Sequence, residues 1–425
     1  MISDHYDALE TRDPAAREHA LMHALARQVA HAQSRAPAFA ASLAGVDAAR
    51  VTTREALGRL PVLRKHELQE RQLAPDARDL FGGHATIGWG PVAPERRALR
   101  VFESPGMLHE PEGRAADYWR MARALYAAGL RAGDLVHNSF SYHFTPAGAM
   151  MESGAFAIGC TVFPAGTGQT EQQVRALAAC GSNAYIGTPS FLKILLEKAD
   201  ALGIALPALT KASVGAEAFP PSLRDWLLAR GVAAYQSYGT ADLGLIAYET
   251  ESREGLVLDE GVIVEIVRPG TGDALPDGEV GEVVVTTLNP DYPLIRFGTG
   301  DLSAILPGRC PTGRTHQRIR GWLGRADQTA KVRGMFVHPS QVAEIARRHP
   351  EAGRTRLVVS GAMAEDRMTL MVETPGAGSS SSGGLASRMA DTVREVTKLR
   401  AEVRLCVPGS LPNDGKVVSD ERDYG

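Results

Sequence analysis

Apolar and polar positions recur along this chain with two different periods, and the changes between them mark out its elements. Through residues 14–38, Leu21, Leu25, Val29 and Ala30 fall at helical spacing, and Pro37 and Phe39 close the run. Residues 52–65 give a short helix and a bend at Pro61, and residues 117–130 read as an amphipathic helix. Short apolar strands then take turns with helices. A strand begins at Asp134, followed by strand 159–164, helix 171–179, strand 183–187, helix 189–199, strand 211–217, helix 220–230 and strand 233–239. Such alternation predicts a mainly parallel α/β sheet. From about 256 the period becomes two: VIVEIV at 262–267, a Pro-Gly turn and GEVVVTT at 281–287 predict a β-rich subdomain, with a further strand at 294–297. The last hundred residues place strands at 354–360, 368–373 and 403–407 beside helices at 342–348 and 385–401, a small α+β unit. Within it, GAGSSSSGG at 376–384 lies between a strand and a helix, which suits a flexible loop better than a linker. The expected fold class is α/β, with more than one domain for 425 residues.

Composition narrows the function classes. With 44% hydrophobic and 22% charged residues, the chain has the make-up of a globular protein. A net charge of −3 with both signs intermingled leaves no basic field for nucleic acid or anionic lipid. The acidic first residues do not suggest a secretory signal, and no apolar run reaches the roughly 20 residues that span a bilayer. Cys160, Cys180, Cys310 and Cys406 are scattered and form no CxxC pair, which fits reduced thiols and a cytoplasmic location.

Chemistry concentrates in a few glycine-bounded stretches. YPLIRFGTGDL at 292–302 reads as a strand running into a turn, where Gly298 and Gly300 permit positive φ and set the Asp301 carboxylate at the mouth of a sheet. A carboxylate there can accept two hydrogen bonds from a vicinal diol such as ribose, although a lone Gly-Asp also suits a capped hairpin turn. GRADQTAKVRG at 324–334 is a second glycine-bounded, charged segment. Upstream, the turns that end KASVGAE (211–217) and AAYQSYGTAD (233–242) supply small residues where a flat base can slide against backbone, and Tyr238 supplies a stacking face.

Together these stretches resemble the adenylate-forming, AMP-binding superfamily, and within it the phenylacetate-CoA ligase family. The resemblance implies a large N-terminal domain, 1–326, that binds ATP and a carboxylic acid, and a mobile C-terminal lid, 327–425, hinged at Asp327. It implies that Gly215, Ala216, Glu217, Tyr238, Gly239 and Thr240 surround the nucleotide, that Asp301 holds ribose, and that Arg325 lies near the nucleotide. Asp242 stands where relatives place a Glu that binds Mg²⁺, one methylene shorter. Tyr142, Phe144 and Gly148 fall where relatives build the acyl pocket, with His143 read as packing or solvated. LPNDGK at 411–416 matches the lid motif whose lysine, here Lys416, serves adenylation; Lys331 and Asp327 would serve thioester formation. The Leu60–Lys65 stretch resembles a family marker and is read as scaffold.

The phosphate loop departs from the family pattern SSGTTGKP. Ser104, Gly106 and Pro111 match, but Met107, Leu108, His109 and Glu110 replace the two threonines, the second glycine and the lysine. Glu103, Glu110 and Glu112 would then flank a polyanion, which is unfavourable unless Mg²⁺ bridges or the side chains point away. Near 310, relatives with extra cysteines can hold a metal; only Cys310 remains, so no structural zinc is expected. Three readings follow. One is an acyl- or aryl-CoA ligase using ATP, Mg²⁺ and coenzyme A on an aromatic acid, with a carrier-protein thiol as the other possible acceptor and a homodimer left open. The second is a relative that has lost triphosphate handling and transfers or binds preformed acyl groups, supported by the altered loop. The third is a non-catalytic binding protein, against which Asp301, Asp327, Lys331 and Lys416 argue.

Overall fold

The alternating stretches build one twisted sheet in the computed structural model, which describes residues 4–74, 79–105, 107–323, 325–326, 330–337, 339–362, 365–375, 382–412 and 416–422. The chain divides into two units, Met1–Gly324 and Arg325–Gly425. In the first, strands Thr161–Pro164, Leu135–Asn138, Ala184–Gly187, Lys211–Gly215 and Ala233–Thr240 lie side by side and parallel, in that order. Helices Ala147–Ile158, Thr170–Cys180, Pro189–Leu202 and Pro221–Ala229 supply the crossovers that parallel pairing requires. The sheet is mixed rather than wholly parallel. Gly244–Glu249, Leu256–Leu258, Arg318–Ile319 and Ile305–Leu306 continue it in antiparallel fashion.

The β-rich segment forms a second, four-stranded sheet in the order Leu63–Arg64, Phe297–Ser303, Gly281–Thr287, Val262–Val267. Leu21, Leu25 and Val29 of helix Pro14–Arg35 pack with Ile263, Val283 and Phe297 in one buried cluster, so these three positions of the predicted stripe face the core, while Ala30 is exposed.

Four local expectations are corrected. The strand predicted at 294–297 begins instead at Phe297 and runs to Ser303. Gly298 lies inside it and does not take positive φ; a Cβ there would fall 2.8 Å from Glu282 Oε1, so the glycine serves close approach. Gly300 does take positive φ, at 72°, inside a bulge where Val283 faces three residues, 299–301. Helix 117–130 shrinks to Ala122–Ala127, because Asp117 turns the chain at φ 49° and accepts from the Met121 and Ala122 amides. The predicted loop at 104–111 is a hairpin, Arg100–Ser104 against Leu108–Glu112. Leu108, standing where the family pattern has threonine, enters the main core, which favours a strand.

Arg296 is fully buried yet satisfied. It makes a fork of two bonds to Glu265 at 3.0 Å and donates to the carbonyls of Gly58, Leu60 and Gly272. This fastens the start of the Asp301 strand to three separate segments.

The second unit has a four-stranded sheet in the order Glu402–Cys406, Arg367–Glu373, Thr355–Ser360, Val418–Asp420. Helices Pro339–Arg347 and Ser382–Thr397 close its own core around Leu357, Leu370, Met389 and Val393. A two-stranded ribbon, Ala330–Val332 with Met335–Val337, turns at Arg333 and Gly334, both with positive φ as a tight hairpin demands. No helix among the described residues is long and apolar enough to cross a membrane.

Candidate active site

The predicted nucleotide residues gather at the carboxyl ends of two neighbouring parallel strands, where open α/β sheets place ligands. Gly215 lies opposite Ser237. A Cβ on Gly215 would stand 3.0 Å from the Ser237 carbonyl, so only glycine leaves this edge open. Ala216 turns at φ 66°, and Glu217 accepts from the Ser190 amide at 2.6 Å, tying the turn to the start of the preceding helix, Pro189–Leu202. Gly239 and Thr240 continue the strand into a hairpin, and Thr240 Oγ1 accepts from the Leu243 amide. That bond shapes the turn bearing Asp242.

Tyr238 and Asp301 belong to different sheets and meet directly. The Tyr238 hydroxyl donates to Asp301 Oδ2 at 2.9 Å, and the Trp322 indole donates to Asp301 Oδ1 at 3.0 Å. Thr299 Oγ1 accepts from the Asp301 amide at 3.1 Å, which holds the bulge. A carboxylate offers about four lone-pair sites, and these two donors fix its orientation.

A second group forms around Asp242, whose side chain is wholly buried. Lys65 donates to its Oδ2 at 3.3 Å, while Oδ1 has no hydrogen-bond partner among the described residues. Nearby, Glu110 is buried and accepts from Ser104 Oγ at 2.5 Å. Burial first, and the Asp242 charge second, hold the Glu110 carboxyl well above its usual range, favouring the protonated form. Burial and then the same two carboxyl groups push the Tyr292 phenol up. Glu112 pairs with Arg100 at 2.7 Å, and Glu103 lies 3.2 Å from His109. Two of the three carboxylates that threatened a polyanion are therefore turned inward.

The AMP-binding enzyme family model matches residues 116–289. Phenylacetate-coenzyme A ligase of Aromatoleum evansii is 31% identical over 342 residues, covering 75% of this chain and 77% of that protein. The enzyme of the same name from Thermus thermophilus is 32% identical over 346 residues, covering 77% and 74%. The chain belongs to the phenylacetate-coenzyme A ligase family. A crystal structure of 2-hydroxyisobutyryl-CoA ligase in complex with 2-HIB-AMP and CoA has a similar fold, with TM-score 0.82 and 25% identity, over 99% of this chain and 93% of that one.

As a member of the phenylacetate-coenzyme A ligase family, the chain differs in how its motifs are supported. Ser104 is occupied by Glu110, and Gly106 lies outside the described residues. Tyr142 packs on Gly148, and its hydroxyl joins Asn138 and Glu152 at 2.8 and 2.9 Å. Phe144, at φ 60°, is 77% exposed. For a hard cation, the partnerless Asp242 Oδ1 is a suitable ligand. Among the described residues no group of three or more His, Cys, Asp or Glu side chains could hold a metal, so phosphate and water would have to supply the other ligands. Arg325, Lys331 and Lys416 belong to the second unit. There the Lys331 carbonyl accepts from Arg422 and the Lys416 carbonyl from Arg356. Asp327 lies outside the described residues. Two residues passed over in the sequence, Lys65 and Trp322, touch predicted site residues. A lysine inside a marker stretch and a tryptophan two residues before the second charged segment were the available signals.

Proposed function

We propose that the protein activates an aromatic carboxylic acid with ATP to an acyl-adenylate and transfers the acyl group to coenzyme A. The observation that carries this reading is the Asp301 carboxylate, held by Tyr238 and Trp322 beside the turns at Gly215–Glu217 and Tyr238–Asp242. Two anions must react in the first step, so catalysis rests on positioning and charge neutralisation. In this reading Asp301 holds ribose, and the small residues at 215, 216 and 239 admit the base. Mg²⁺, taking Asp242 as its protein ligand, supplies neutralising charge when bound. Arg325 lies near the nucleotide. We read the first unit as the acid- and nucleotide-binding domain and the second as its lid. Lys416 serves adenylation, and Lys331 with Asp327 serves thioester formation. Tyr142, Phe144 and Gly148 border the acid. The inward turn of Glu110 favours this reading over one without ATP, because the carboxyl group is buried and its raised pKa disfavours the charge that would repel triphosphate. Acid-dependent ATP–pyrophosphate exchange over a panel of aryl and short acyl acids tests it. Exchange with aryl acids and CoA thioester formation are expected. No exchange with any acid, alongside nucleotide-free acyl exchange between thiols, would overturn it.

A further inference from the structure

The 100–112 hairpin occupies the place of the phosphate loop but offers no spare cation. Arg100 is paired with Glu112 and His109 lies against Glu103. Position 110, a lysine in the family pattern, is a buried glutamate. A triphosphate bound here must find its positive charge elsewhere.

Lys65 opens helix Lys65–Leu73, and three attachments fix where it stands. Immediately before it, Leu63 and Arg64 pair in parallel with Phe297 and Gly298, on the strand that carries Asp301. Arg64 also forms an ion pair with Glu282, on the next strand of that sheet, Gly281–Thr287. At the far end of the helix, Gln72 donates to the His109 carbonyl at 3.0 Å and accepts from the His109 amide at 2.8 Å, clamping helix to hairpin. The lysine is thus set where the Asp301 strand, the hairpin and the Asp242 turn converge. Its ammonium lies 3.3 Å from Asp242 Oδ2, yet its side chain is 40% exposed while that of Asp242 is fully buried. One of three N–H donors goes to the carboxylate, which leaves donors for an anion arriving from solvent.

We propose that Lys65 binds the β- and γ-phosphates of ATP, supplying the positive charge that the hairpin lacks. The proposal rests on the adenylation reading above. It makes the marker stretch at 60–65 part of the phosphate site rather than scaffold, and makes the Gln72 clamp the device that keeps lysine and hairpin in register.

The test uses the full chain and three variants, Lys65→Met, Lys65→Gln and Lys65→Arg. Calorimetry measures inorganic pyrophosphate with Mg²⁺ and, separately, AMP; exchange kinetics measure KM for ATP. Lys65→Met should weaken pyrophosphate binding and raise KM for ATP at least tenfold, with AMP affinity unchanged. Lys65→Arg should recover most of both. Lys65→Gln keeps a donor for Asp242 without the charge. It should melt at the wild-type temperature and bind pyrophosphate as poorly as Lys65→Met. Pyrophosphate and ATP parameters at wild-type values in folded Lys65→Gln would overturn the proposal. Equal losses for AMP and pyrophosphate would also overturn it, and would make Lys65 a structural partner of Asp242. Lys65-dependent pyrophosphate binding without exchange for any acid would leave this assignment standing and defeat the proposed function instead.

Discussion

Asp301 accepts from a phenol on one oxygen and from an indole on the other, so its plane is set before any ligand arrives. Asp301→Ala should weaken AMP and ATP binding alike by about 1–3 kcal/mol, the scale for charge-assisted hydrogen bonds. Unaltered affinities by calorimetry would remove the ribose assignment. Glu110 makes a prediction of another kind. Its folded-state pKa is raised, so its contribution is most favourable below the ordinary value of 4.5 and is lost as pH rises toward the raised one. Denaturation midpoints of the wild type should therefore decline across a window that opens near 4.5 and extends upward. Glu110→Gln still accepts from Ser104 but cannot ionise, so it should flatten that decline. The variant should match the wild type at the acid end and exceed it at the alkaline end. A wild-type slope retained in Glu110→Gln would mean that other groups set it.

At the scale of elements, the crossover helices and parallel strands were legible because each is a long apolar-periodic run bounded by glycine or proline. The irregular pieces were not, since long-range contacts decide them. Asp117 caps the helix that periodicity began too early, Leu108 draws its segment into the core as a strand, and Arg296 fastens a strand start that periodicity placed too soon. Asp301 stood out in the sequence through the glycines before it, although the structure puts them in a bulged strand rather than in a turn. The roles of Lys65 and Trp322 were not legible locally, because their partners are 177 and 21 residues away in sequence. Gly148 shows the same kind of tertiary demand. A methyl group there would stand 2.7 Å from the Ser141 carbonyl and 2.9 Å from the Tyr142 ring. Alanine gains at most about 1 kcal/mol of helix propensity. Overpacking costs about 1–3 kcal/mol, and because one clash is with backbone the upper part of that range should apply. Gly148→Ala should thus be destabilising in urea titration and should shift preference among acids by moving Tyr142. A variant as stable as the wild type would show that the ring yields freely.

For the whole molecule, two units with separate cores divide the chemistry we propose. Lys416→Ala should depress adenylate formation while sparing thioester formation from supplied acyl-adenylate, and Lys331→Ala should do the reverse. Equal loss of both steps in both variants, with folding intact, would refute that division. The Trp322–Asp301 bond has one more consequence, an optical one. The indole belongs to a residue two positions before the first unit ends, is 38% exposed, and donates to the carboxylate assigned to ribose. Any nucleotide that competes for that carboxylate changes the polarity felt by this fluorophore, one of four tryptophans in the chain. Emission should shift on adding AMP and stay still in Trp322→Phe, so that the protein carries its own probe of occupancy and each turnover can be followed without a label.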